Sequence, residues 1–479
     1  LKIKQFQVSF LIAFLSQPCQ RFSQNLKGKM NGFFNRLMQS GVLLLIFGGL
    51  VIQANAGGFL LFEQDVKALG NAFAGGAAMA EDATTNFFNP AGLTRLSGIQ
   101  SSLGAHYIMP QAEFSNENST LSPVLTGGVP VALEGGGGGN AGESALVPNF
   151  YHAHEIAPDL HAGLGITTPF GLATKYDRGW VGRYHAVDSE VRTLDINPNI
   201  AYRVNPWLSA GVGISAQYID AELSNAVDFG AIGAANGLPT TPQSLDGFAK
   251  VTADDWGWRW NAGILAALSD TLRIGLAYRS DIEYTLEGDA DIDAPDAAAP
   301  IAAAAGLVDT DAKADITLPG HASLSAYYRF HPKLAIMGDL FWTHWSELDE
   351  LRIELDSGAP DTVTTLNWRD TWRLALGLTY YHNDAWTFRI GAAYDQTPIP
   401  GAKRRTPRIA DDDRIWTTVG LSWQAQKWLS LDLAYAHLFV DDPKVRKDGL
   451  EAEDLFRGAL QGSYDASVDI ASIQLAAAF

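Results

Sequence analysis

The residues able to do chemistry are few and poorly placed for it. His152 and His154 would share one face of a strand, but no clear third ligand accompanies them, so a metal site is not expected. Asp411, Asp412 and Asp413 form an acidic run that could attract calcium and read as a solvated loop. The glycines at 135–139 are not followed by Gly-Lys-Ser/Thr, so they do not make a phosphate loop. A hydrolase would need a Ser, a His and an acid converging outside the wall of a barrel, and nothing in the sequence points to that. The remaining candidates are Arg273, Arg279, Asp281, Glu283, Arg373 and Arg389, charges expected to face inward along strands. They could bind a carboxylate head, but the expectation is that they pair with one another and with whatever fills the interior. Neither enzyme chemistry nor a cofactor is expected.

The elements that would position these residues alternate with period two. Leu208, Ala210, Val212, Ile214, Ala216 and Tyr218 share one face, while Ser209, Gly211, Gly213, Ser215 and Gln217 share the other. Residues 272–279, 372–380 and 386–395 repeat the pattern, apolar on one face and small or polar on the other. This is the signature of an all-β membrane protein, apolar outward and polar inward. A soluble sandwich also alternates, but here Trp207, Tyr218, Tyr278, Trp372, Tyr380, Trp386 and Tyr394 fall at or near strand ends, where interfacial girdles belong.

Connections give a third argument. Short joints at Ala157-Pro158-Asp159, Asn205-Pro206, Ser269-Asp270, His331-Pro332, Asn383-Asp384 and Gln426-Lys427 alternate with long stretches at 111–145, 172–188, 224–253, 288–311, 357–366, 396–412 and 441–463. Such alternation predicts a 14-stranded antiparallel transmembrane β-barrel over residues 99–479, with tight periplasmic turns and long outer loops. The terminal run Ala471, Ile473, Leu475, Ala477 and Phe479 reads as the closing strand, and its final aromatic suggests recognition by the barrel-assembly machinery.

Composition narrows the class. A short basic region ending at Arg36, an apolar core at 42–52 and Ala54-Asn55-Ala56 read as a signal peptide over 30–56. Residues 1–29, which hold the only cysteine, Cys19, read as upstream sequence, so neither disulfides nor cysteine-bound zinc is expected in the mature chain. The apolar core is short for a membrane helix, which needs about 20 residues. A mean hydropathy of -0.01 is too polar for a helical membrane protein. The formal charge of -19 becomes more negative once the basic leader is removed, which argues against nucleic acid.

Residues 57–98 carry the apolar side chains Phe59, Leu60, Leu61, Phe62, Phe73, Phe87 and Phe88, too many for a solvated tail. A wide barrel has a lumen that its own side chains do not fill, so this stretch is expected to be a small N-terminal hatch (plug) inside it. Its Gly57-Gly58-Phe59, Ala68-Leu69-Gly70-Asn71-Ala72, Ala80-Glu81-Asp82-Ala83 and Asn89-Pro90-Ala91 resemble the hatch of the FadL family, outer-membrane channels for long-chain fatty acids and other hydrophobic compounds. Further similarity lies in residues 169–174, in Trp256-Gly257-Trp258 through Asn261-Ala262-Gly263, and in Ala393-Tyr394-Asp395 through Pro398.

The resemblance implies a location in the bacterial outer membrane and uptake of a hydrophobic small molecule, a long-chain fatty acid or an aromatic hydrocarbon. A structural or adhesive barrel whose loops bind a partner protein is the reading from another class. Surrounding partners would be outer-membrane lipid and lipopolysaccharide. Substrate binding falls to Phe59, Leu60, Leu61 and Phe62, and gating to Asn89, Pro90, Ala91, Pro169, Phe170 and Gly171, with a kink in the third strand near Gly171 opening a lateral exit. The stretches 226–237 and 297–308 are unusually small and apolar for outer loops, and if paired would form an exposed groove in which Phe229, Ile232, Ile301 and Leu307 capture ligand. Where the family places basic head-group partners, alignment puts Asn225 and Thr364. Neither is basic, which leaves room for a neutral ligand.

Overall fold

A computed structural model describes residues 58–479; the expected leader, signal peptide and cleavage at Gly57 lie outside the described residues. Among the described residues no helix is long and apolar enough to cross a membrane. The chain instead forms a closed barrel of fourteen antiparallel wall strands. In order they are Ile99–Asn116, Ala145–Ala157, Leu160–Thr167 with Gly171–Lys175, Asp188–Asn205, Leu208–Asp228, Asp246–Ala267, and Leu272–Arg279 with Ile282–Asp293. Then follow Thr310–Leu318 with His321–His331, Leu334–Thr343 with Glu350–Leu355, Thr362–Thr365 with Thr371–Tyr381, Trp386–Asp395, Arg414–Gln426, Leu429–Val440 and Gln461–Ala478. The first strand closes the barrel on the last, from Gln100 opposite Ala478 to Asn116 opposite Gly462. Closure leaves no sheet edge for lipid to meet. Phe479 finishes the seam, its backbone exchanging hydrogen bonds with that of Ile99 at 2.8 and 3.0 Å.

The outward faces follow the alternation: Val212, Ile214, Leu276, Leu374, Leu376 and Ile390 are exposed on the barrel's exterior, as are Trp207, Trp372 and Trp386. Two expectations are corrected. The fifth and sixth strands remain paired out to Asp228 and Asp246, and Thr310 pairs with Ala290, so the outer loops are shorter than the polar stretches suggested. Past the membrane both faces of a strand meet water, and pairing persists after apolar alternation has faded. Glu283 is exposed rather than inward, because the strand breaks between Arg279 and Ile282 and its alternation changes phase there.

Residues 58–98 pack inside the wall as short helices, Val66–Leu69, Gly76–Met79 and Thr85–Phe88, followed by the 3-10 turn Pro90–Arg95. Asp65 caps the first by accepting from the Lys67 amide at 2.8 Å. Asn89 caps the last through the Ala91 amide at 3.0 Å, and Pro90 sits where a missing amide proton costs nothing. The hatch is joined to the wall by charge as well as by apolar packing. Lys67 pairs with Asp82 at 2.8 Å and reaches Asp432 at 3.8 Å, while Arg389 pairs with Glu81 at 3.0 Å.

Candidate functional site

The third strand stops at Thr167 and resumes at Gly171, and the start of the hatch lies in that break. Leu60 bridges Phe170 in antiparallel fashion; the Leu61 amide donates to Pro169 O at 2.9 Å, and the Gly171 amide donates to Phe59 O at 3.0 Å. Proline cannot donate to a ladder, so residues 168–170 leave the wall and are satisfied from inside it. Thr193 completes the turn, accepting from the Phe170 amide at 3.0 Å and donating to Phe170 O at 2.6 Å. Beneath it, Arg259 lies 5.7 Å from the Phe170 ring centre and is tied to Asp195 at 3.0 Å. The second and third strands pair from Phe150 opposite Ile166 down to the turn; among the described residues no ladder joins 145–149 to Gly171–Lys175. The ladder is thus broken where the hatch covers it, and beyond the break Gly142 bridges Thr174 and the Lys175 amide donates to Ala141 O at 3.0 Å.

The four expected binding residues are all buried. The Phe59 ring is 5.1 Å from Trp345, 5.9 Å from Phe170 and 6.0 Å from Trp368. Phe62 sits 4.8 Å from Phe341 and 6.3 Å from Trp416, with the Arg373 guanidinium 4.7 Å over its ring. These side chains therefore occupy the apolar space that they were expected to border. Trp345 and Trp368 were not anticipated. Each lies in an interruption of a wall strand, away from the strand ends that mark girdle aromatics.

Asn89, Pro90 and Ala91 touch the wall. Asn89 Nδ2 donates to Ile264 O at 3.0 Å and to Ala77 O at 2.7 Å, linking wall and hatch. A Cβ at Gly263 would come within 2.1 Å of Asn89 Oδ1, so the seat needs glycine. The same arrangement recurs at Asn71, whose Nδ2 donates to Leu378 O and Ile390 O at 3.1 Å beside Gly391. The inward arginines mostly hold the hatch: Arg273 donates to the carbonyls of Ala78 and Met79, Arg279 to Phe87 and Arg373 to Ala72.

The two apolar outer stretches do meet, but as short helices, Phe229–Ala235 and Ala299–Ala304. Phe229, Ile232 and Ile301 are buried against each other with Ala298 and Ala302, and Leu307 packs half-buried at the margin. The expected exposed groove is closed in this structure, because those side chains satisfy one another. His152 meets Ser101 Oγ at 2.9 Å and His154 is exposed on the same face. Asp411 faces inward, accepting from Thr397 Oγ1 at 2.7 Å and the Gly58 amide at 3.2 Å, rather than lying in a solvated loop. Asn225 and Thr364, neither of them basic, each receive an arginine from a distant loop: Arg408 Nη2 is 3.4 Å from Asn225 Oδ1, and Arg457 Nη1 is 3.3 Å from Thr364 Oγ1.

The family model described as outer membrane protein transport protein (OMPP1/FadL/TodX) matches residues 50–479. The chain belongs to this family. It is a transport protein of the bacterial outer membrane rather than an enzyme. A long-chain fatty acid transport protein of Salmonella typhi is 31% identical over 421 residues, covering 86% of this chain and 94% of the relative. The crystal structure of a Pseudomonas aeruginosa FadL homologue matches with a TM-score of 0.81 at 26% identity, covering 88% of this chain and all of that one. The Ralstonia pickettii toluene transporter TbuX shares the fold, with a TM-score of 0.62 at 19% identity over 88% of this chain and 100% of that one.

Proposed function

We propose that this FadL-family barrel takes up long-chain fatty acids, or hydrophobic molecules like them, by diffusion through a path that the hatch gates. Ligand is captured at the cluster of Phe229, Ile232, Ile301 and Leu307 and passes to the apolar site around Phe59, Leu60, Leu61 and Phe62. A shift of the hatch, hinged on Asn89-Pro90-Ala91, frees Pro169, Phe170 and Gly171, and the ligand leaves sideways into the bilayer. The reading rests most on the bridge between Leu60 and Phe170, because it makes one segment both the inner lining and the cover of the break in the third strand.

Partition of apolar surface, about 0.8 kcal/mol per buried CH2, is sufficient to drive binding of a long acyl chain without a nucleotide, an ion gradient or a cofactor. Lipid and lipopolysaccharide surround the barrel in this account, and the assembly machinery reads the strand that ends at Phe479. The test is displacement of a fluorescent long-chain fatty acid from the purified barrel by oleate, by a short-chain acid and by toluene. Displacement by oleate at much lower concentration than toluene is expected. Preference for toluene would move the assignment to aromatic hydrocarbons, and no saturable binding would leave an adhesive role.

A further inference from the structure

The inner face of the fourth to eighth strands is polar. One rung of the ladder runs through Asn199, Gly213, Asn261, Arg279 and His321 across all five strands, and the rungs above it carry Arg259 and the facing pair Asp195 and Gln217. These side chains are buried. Asn197, Asn199 and Asn261 join side chain to side chain at 2.8 to 2.9 Å, and Arg279 reaches Ser215 Oγ at 3.2 Å. Among the described residues, however, Asp195 Oδ1, Gln217 Oε1, Arg259 Nη1, Arg279 Nε and His321 Nδ1 find no partner in the protein, although each is shut away from bulk solvent. Buried polar atoms of this kind are satisfied by water. Between Asn261, Arg279, His321 and Ser323 on the wall and Phe87, Phe88 and Pro90 on the hatch lies a cavity of about 20 Å³, and about 10–15 Å³ is enough to hold a water.

The same face is basic. Arg259 and Arg279 are followed toward the periplasm by Arg273, which donates to the hatch carbonyls of Ala78 and Met79, and by Arg203, which donates to that of Thr94. Arg95 of the hatch stands beside Arg273 and Arg203. Along these rungs Asp195 is the carboxylate that faces them, tied to Arg259 at 3.0 Å. Asp255 and Asp281 stand above, Asp159 lies at the turn below, and Asp339 is one strand beyond, opposite Ser325. The hatch acids Glu81 and Asp82 are held elsewhere, by Arg389 and Lys67. Hatch residues 86–89 cover the seam: Asn86 donates to Asn197 O at 3.2 Å, Arg279 to Phe87 O at 3.2 Å and Asn89 to Ile264 O at 3.0 Å.

We infer that this seam is a second passage through the lumen, hydrated and basic, which conducts small inorganic anions such as chloride when the hatch leaves its seat. It runs beside the apolar path taken by hydrophobic ligands and goes beyond that reading, because an ion cannot follow a dry path lined by Phe59 and Phe62. A pore lined by arginine selects anions. A gap without such a lining, in a chain of formal charge -19, would instead favour cations.

The test is the reversal potential of Asn89→Ala barrels in planar bilayers under a KCl gradient, each variant first being checked for heat-modifiable gel mobility. Openings are expected to prefer chloride over potassium by about threefold or more. Adding Arg279→Gln should bring the ratio toward unity, Arg279→Lys should keep it, and Lys313→Gln, exposed on the outer face, should leave it unchanged. A looser hatch alters the number of openings and not their selectivity, so the ratio separates a lining role from a structural one. Arg259→Gln offers the same reading should Arg279→Gln fail to fold. Preference for potassium would overturn the inference, as would a ratio that both arginine variants leave intact, and oleate displacement would be untouched by either result. Absence of any ionic conductance in Asn89→Ala would overturn it as well.

Discussion

Leu60 and Phe170 face each other as a non-hydrogen-bonded antiparallel pair, with the flanking hydrogen bonds running from Leu61 to Pro169 and from Gly171 to Phe59. A strand that would otherwise expose unpaired backbone at a gap is thus completed by the plug. Any hatch movement that carries residues 59–61 away leaves residues 169–171 without their partners. Hatch and wall are therefore coupled at this point, and the coupling requires no long-range signal.

Asn89 joins the hatch carbonyl of Ala77 to the wall carbonyl of Ile264. Replacing it with alanine should cost the hatch seat about 1–3 kcal/mol, since two buried acceptors lose their donor. Asn89→Ala barrels in planar bilayers are expected to show more frequent conductance openings than wild type. Gly263→Val should do the same more strongly, because its side chain would enter the space of Asn89 Oδ1.

The aromatic cage should set affinity. Phe59→Ala and Trp368→Ala each remove a buried ring from one contact set. Truncating a buried aromatic typically costs about 3–5 kcal/mol, part of which would appear as weakened ligand binding. Displacement titration of a fluorescent fatty acid should show a loss of about tenfold or more for each, while Trp207→Ala on the outer face should bind as wild type.

Much of this was legible in the sequence. Outward alternation through Leu374 and Leu376, aromatics such as Trp372 at strand ends, and the rhythm of short and long connections suffice for a fourteen-stranded barrel, because a lipid-facing wall allows only one such pattern. The hatch's apolar start was legible because Phe59 and Phe62 need burial. The seat was not: Asn71 and Asn89 act through backbone carbonyls of wall residues far away in sequence, and an asparagine has the same appearance in a turn. Nor did Asn225 and Thr364 announce a basic neighbourhood, since their arginines arrive from other loops. The length of the outer strands was misread for a different reason: strand pairing in water requires no apolar face.

Acidity should tighten the plug through Glu63. Its side chain is buried, and burial pushes its carboxyl up to about 7 against the opposing charges of Arg414 and Arg373, with Asp395 adding to the rise. The folded protein keeps a proton that the unfolded chain releases above its ordinary value of 4.5, so the seat weakens as pH rises from about 4.5 to 7 and levels off beyond. Asp65, also pushed up by burial and then by the neighbouring Asp82, carries the same sign. Protease cleavage within the hatch is expected to be faster at pH 8 than at pH 5.5, with a smaller difference in Glu63→Gln. Equal cleavage rates at both pH values in the wild type would contradict this.

The most direct test of the gated path is a disulfide across the bridge. Non-hydrogen-bonded antiparallel pairs bring Cα atoms to about 4.5 Å, within the range a disulfide spans. The double variant Leu60→Cys, Phe170→Cys, expressed in cells lacking their own fatty-acid channel, would be assayed for uptake of labelled oleate before and after reduction. The account predicts that the oxidised barrel, folded and cross-linked, takes up almost no oleate and recovers on reduction. Full uptake with the cross-link demonstrably formed would contradict it.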